Sequence, residues 1–232
     1  MSSFVVKPAA SRFPYSNWGP RVALLGLLVA IGLGILLGVP AVLIDQPGPG
    51  GDLSTGANIF VQAATAIGFI AVPLAVASRG GASLLLALQR LGVRRFAPGM
   101  ALWWMFVAIV LYIVFAFLYT EIAGAPEQEE IAEAFGPVAV QVLLVVILAA
   151  VGEELCFRGM LFSGLRERLP MLAAALISGG IFGALHAVTG ISAVPPLIAF
   201  GTIMAWLYER TGSLVPCMIL PALNNSLALL AQ

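Results

Sequence analysis

Apolar residues along the chain gather in long unbroken runs instead of the spaced stripes that mark helices packed on a water-soluble core. Runs at 22–44, 57–77, 97–120, 138–157, 171–189 and 213–231 approach or exceed the roughly 20 residues of helix that cross a bilayer's hydrocarbon core. A shorter run at 194–208 opens on "VPP" and is the segment most open to a partly re-entrant course. The pattern predicts an all-α polytopic transmembrane helical bundle of about seven spans, within a range of six to eight. It divides into a cytoplasmic N-terminal segment (1–21), N-terminal transmembrane helices (22–136) and a core (137–232), forming one integral membrane domain overall.

Composition strengthens that picture. Hydrophobic residues make up 61% of the chain and charged ones 9%, which excludes an ordinary soluble domain. Eleven basic and eleven acidic residues cancel, so nothing invites nucleic acid. Their positions carry the information. Lys7, Arg12 and Arg21 precede the first run, Arg79, Arg90, Arg94 and Arg95 fill the second loop, and Arg166, Arg168 and Arg210 fall in later loops on the same side. Asp45, Asp52, Glu121, Glu127, Glu129, Glu130 and Glu133 occupy the alternate loops. The positive-inside rule then predicts a cytoplasmic N-terminus and, with an odd number of spans, a C-terminus outside, in a membrane expected to be the bacterial plasma membrane. The run at 22–44 is too long for a signal peptide and reads as a retained anchor.

Cys156 and Cys217 fall inside apolar runs and are expected to act as small hydrophobes. Gly34-x-x-x-Gly38 and Gly179-x-x-x-Gly183 have the spacing that lets helices approach closely. Phe13, Tyr15, Trp18, Trp103 and Trp104 are candidates for aromatic anchors at the membrane surface. No internal repeat and no Gly-rich phosphate loop is present.

Against this background "VGEELCFRGM", residues 151–160, is costly, because a charge near the bilayer centre opposes insertion by several kcal/mol. Glu154 and Arg158 are four apart, share a helix face and can neutralise each other. Glu153 points about 100° away and needs a different partner. If this helix runs to about Glu167 and reverses at Leu169-Pro170, then Glu153 and the only histidine, His186, both lie roughly 22 to 24 Å from the hairpin tip. Asn225, on the last helix, reaches a similar stratum. A carboxylate can take a proton from water, an imidazole can polarise a carbonyl or hold that water, and a carboxamide can donate to an oxyanion. This set favours hydrolysis of an amide at the membrane. Ser163, Ser178 and Ser226 lack a supporting triad pattern. The plainer alternatives are a structural ion pair, a satisfied bundle histidine and an asparagine bonded to neighbouring backbone.

"EELCFRG" resembles the Glu-Glu-x-x-x-Arg motif of the CAAX-protease and bacteriocin-processing (CPBP, also called Abi) family of intramembrane proteases, and "FGALH" its Phe-x-x-x-His motif. "GSLVPCMILPALNNSLAL" resembles the family's closing segment, so the similarity covers roughly 137–231. The resemblance implies that Glu153 activates the hydrolytic water, that Glu154 and Arg158 support it, and that His186 and Asn225 hold the substrate carbonyl or oxyanion. The sequence departs from the family where a third-motif histidine is expected, four residues before Asn225. Pro221 stands there.

Two functions follow as expectations. One is an intramembrane endopeptidase-like protein that hydrolyses a membrane-bound or lipidated peptide with glutamate-activated water. The alternative is a non-catalytic protein of the same fold acting as complex subunit, scaffold or immunity factor. Membrane lipid and a membrane-bound peptide are the expected partners, joined under the second reading by other membrane proteins. No cofactor is expected. A divalent metal stays an open alternative, although one histidine and a carboxylate fall short of the three protein ligands typical of catalytic zinc. A small proton-coupled transporter would call for paired repeats or matched broken helices, and none is found.

Overall fold

The computed structural model describes residues 13–45, 52–126 and 133–230. Among them are eight helices: α1 (Pro20–Ile44), α2 (Thr55–Ala77), α3 (Leu84–Leu91), α4 (Pro98–Ala123), α5 (Val138–Arg166), α6 (Met171–Leu185), α7 (Val194–Thr211) and α8 (Val215–Leu230). Six segments are long and apolar enough to cross a membrane, and the 16-residue α8 adds a shorter apolar helix, so the chain is a helical bundle integral to the membrane. Lys7, Arg12, Glu127, Glu129 and Glu130, which contribute to the charge pattern, lie outside the described residues.

The expectation for 194–208 needs correction. With the 3₁₀ turn that leads into it, this stretch forms a 21-residue apolar segment, Ile191–Thr211. Pro195 and Pro196 occupy the first turn of α7, where a missing N–H costs nothing, so the prolines start the helix instead of interrupting it.

Small residues set the helix pairs. In α1 and α2, a methyl group on Gly68 would collide with the Ala30 carbonyl, and one on Gly34 would come within 3.1 Å of Thr65 Cα. In α6 and α7, Gly179 lies where a Cβ would meet the Ile198 carbonyl at 2.8 Å, and Gly183 where it would meet the Val194 carbonyl at 2.9 Å. Lipid tails give no hydrophobic drive for helix association, so close backbone packing of this kind does that work. Gly179→Val should therefore lower stability by at least about 1–3 kcal/mol through overpacking. Gly180→Ala, which places a methyl in open space, should leave the thermal midpoint unchanged. Equal midpoints for the two variants would contradict this packing.

Between α2 and α4, the short helix α3 is capped by Ser83 and ends on Gly92 at φ +98°, a conformation that suits glycine. Any side chain there would also collide with Tyr208, whose hydroxyl donates to the Leu91 carbonyl at 3.1 Å. Leu84, Leu85 and Leu86 are exposed while Ala87 and Leu91 are buried, which suits a helix lying along the membrane surface. Arg90 donates to the Ala77 and Arg79 carbonyls at the end of α2, satisfying acceptors that the helix leaves open.

The aromatic residues before α1 are not surface anchors. Trp18 is buried and donates from Nε1 to the Met160 carbonyl at 2.9 Å. Tyr15 donates to the Gly212 carbonyl at 3.0 Å, and Phe13 packs against Phe162 and Tyr208. Burial raises the Tyr15 hydroxyl above its ordinary pKa, with Arg94 over the ring pulling the other way. These residues form a strap across the arginine-rich end of the bundle. Trp103 is exposed as an anchor would be, whereas Trp104 meets Trp206 edge-on at 5.3 Å. Cys156 and Cys217 are buried free thiols, in keeping with their small-hydrophobe reading.

Candidate active site

Helix α5 is wound wider than an α-helix over Val142–Ala149 and Glu154–Phe162, where it takes π geometry. Such segments recur at functional sites because i→i+5 bonding shifts side chains round the axis and leaves carbonyls for other donors. Here those donors come from within and beyond the helix. Ser163 Oγ donates to the Arg158 carbonyl, Ser178 Oγ to the Phe157 carbonyl and Trp18 to that of Met160. Ser226 likewise bonds the Ala222 carbonyl, so all three serines weighed as nucleophiles have backbone partners.

Glu154 and Arg158 are fully buried and form an ion pair, Nη1 to Oε1, at 2.8 Å. The guanidinium also donates from Nη2 to the Gly201 carbonyl on α7 at 3.3 Å and lies 4.7 Å from the centre of the Phe182 ring. Phe182 in turn meets the His186 ring at 4.5 Å and offers its carbonyl to His186 Nδ1 at 2.8 Å. A carbonyl only accepts, so Nδ1 carries the proton and Nε2 is left for a ligand. His186 itself sits just past α6 at φ −89°, ψ 1°, opening the 3₁₀ turn His186–Thr189. The buried pair is thus connected through one aromatic ring to the histidine.

Glu153 takes the other direction. It faces a cavity of about 640 Å³ that is also lined by His186, Asn224, Asn225 and Pro221. His186 and Arg158 are basic side chains within electrostatic reach of its carboxylate. The structure therefore brings Glu153, His186 and Asn225 to one cavity and places Glu154 and Arg158 behind its wall. Asn225 is not wholly open to a ligand, since Nδ2 donates to the Val145 carbonyl at 2.9 Å, leaving its second N–H and its Oδ1. Pro221 adds only apolar surface, and its missing N–H deprives the Cys217 carbonyl of its helical donor.

Gln62 and Thr65 from α2 and Tyr112 from α4 also line this cavity, from outside the stretch that carries the motifs. A glutamine within an apolar run was the available signal for the first of these. Among the described residues, no three His, Cys, Asp or Glu side chains gather where they could hold a metal ion.

No curated protein and no solved structure matches the chain. Residues 135–227, which hold Glu153, His186 and Asn225, match the family model of the Rce1-like type II CAAX prenyl endopeptidases, within the CPBP family whose first two motifs the sequence resembles.

Proposed function

We propose that the cavity hydrolyses a peptide bond of a membrane-bound or lipidated peptide, with Glu153 as general base toward water. The observation that carries this reading is the convergence of a carboxylate, an imidazole with Nε2 unengaged and a carboxamide on one cavity of about 640 Å³, all three inside the segment that matches the prenyl endopeptidases. Glu153 takes the proton from water as the oxygen attacks the carbonyl carbon, and returns it to the leaving amine. His186 Nε2, an acceptor with the proton on Nδ1, holds the attacking water, the second N–H of Asn225 faces the developing oxyanion, and Glu154 with Arg158 holds the wall in place. Farnesylated peptides of the CAAX type are the first substrates to try, in lipid nanodiscs. Failure to cut any lipidated or membrane-spanning peptide in a broad panel would overturn the assignment. The proposed location is a bacterial plasma membrane, and the charge pattern supports an N-terminus in the cytoplasm.

One observation favours the non-catalytic alternative. Pro221 lines the cavity where a hydrogen-bonding residue is expected. Under the hydrolytic reading Pro221→His should raise the turnover of a cleaved peptide, by roughly tenfold or more for a restored oxyanion donor. Stable co-purification with other membrane proteins, unaffected by Glu153→Gln and accompanied by no cleavage, is the outcome a scaffold would give.

A further inference from the structure

Helix α2 contributes a polar face to the cavity that hydrolysis does not use. Its interior carries Asn58, Gln62 and Thr65 at helical spacing. Asn58 donates to the Leu53 carbonyl and Thr65 to the Val61 carbonyl, so both close on their own backbone. Gln62 does not. It lines the cavity, and its carboxamide makes no hydrogen bond to another described residue. An uncharged amide left without a partner inside an apolar helix is unfavourable unless something else occupies its donors and acceptor.

The register shows what lies opposite. α2 and α5 run side by side in the same direction, since Gly136, just before α5, packs on Thr55, while Gly152 packs on Phe69, Ile70 and the Ala66 carbonyl. Glu153 is therefore level with about Phe69 and Ile70. Gln62 stands two helical turns from that level, about 10 Å toward the Thr55 end. An extended peptide advances about 3.3 Å per residue, so Gln62 is level with a peptide unit about three residues from a bond held at Glu153. A carboxamide both donates and accepts, as a peptide unit does, whereas a lipid tail offers it nothing.

We propose that Gln62 is a substrate-binding residue whose carboxamide pairs with a backbone peptide group of an extended segment, about three residues from the scissile bond. This rests on the peptidase reading of the same cavity. Because α2 lies outside residues 135–227, the site is completed by a helix that the family match does not include.

The test uses the full chain in nanodiscs with Glu153→Gln, so that a dye-labelled farnesylated CAAX-type peptide stays intact, and reads binding by fluorescence anisotropy. Adding Gln62→Leu, or Gln62→Met as a second apolar variant of similar length, should raise Kd roughly three- to tenfold, the worth of one or two hydrogen bonds. N-methylation at one backbone position of the peptide should weaken binding to the Gln62 protein and have little effect on Gln62→Leu. The proposal is overturned by an unchanged Kd in both variants, by a methyl scan that finds no sensitive position, or by absence of saturable binding. Cleavage by the unsubstituted chain is followed in parallel. Gln62-dependent binding without cleavage removes the hydrolytic reading alone, and cleavage with a KM indifferent to Gln62 removes this proposal alone.

Discussion

Glu153→Gln should leave a folded membrane protein whose peptide cleavage is reduced about 100- to 10,000-fold, the range for loss of a general base. Glutamine keeps the size and much of the hydrogen bonding of glutamate but cannot accept a proton from water. Glu153 lies off the ion pair that its neighbour forms, and it faces the cavity instead of the packed core. The change should therefore appear in kcat, with peptide affinity and thermal midpoint close to those of the unsubstituted protein. A variant that cleaves at the original rate would remove Glu153 from the mechanism. One that fails to fold would show that the carboxylate has a structural role.

Arg158→Met should do the opposite, lowering stability by about 3–5 kcal/mol, because it strands a buried glutamate without its cation. The guanidinium bridges α5 to the Gly201 carbonyl of α7 and stacks on Phe182, so its loss also frees the ring that positions His186. Cleavage should fall along with stability. Replacing both partners, as in Glu154→Leu with Arg158→Met, removes the stranded charge and should recover much of the stability, since apolar replacements of buried pairs are often near neutral. It should not recover activity in proportion, because the stack on Phe182 remains absent. Thermal unfolding of the single and double variants, read with a cleavage assay, separates these effects. A single variant that unfolds with the parent would show that the pair contributes little.

Much of the site was legible because its local part depends on helical spacing. Residues four apart share a face, so the Glu154–Arg158 pair and the divergence of Glu153 follow from position alone. The α5–α6 hairpin, reversing near Pro170, brings Glu153 and His186 to one cavity as the count of residues from its tip suggests. The strap before α1 was not legible. Trp18 reads as a surface anchor by composition, and only the free carbonyl of Met160 on a π-wound helix explains its burial.

By itself, then, the sequence determined a helical membrane bundle, its close-packing glycines and the separation of a buried ion pair from a second carboxylate, because these depend on hydrophobic length and helical period. Only the tertiary structure decided that α7 is a long span and α8 a short one, that Asn225 commits one amide hydrogen to Val145, and that Gln62 faces the same cavity as Glu153. Gln62 and Glu153 stand 91 positions apart in the chain. No periodicity links such distant residues, and their meeting depends on the glycine contact that sets α5 against α2.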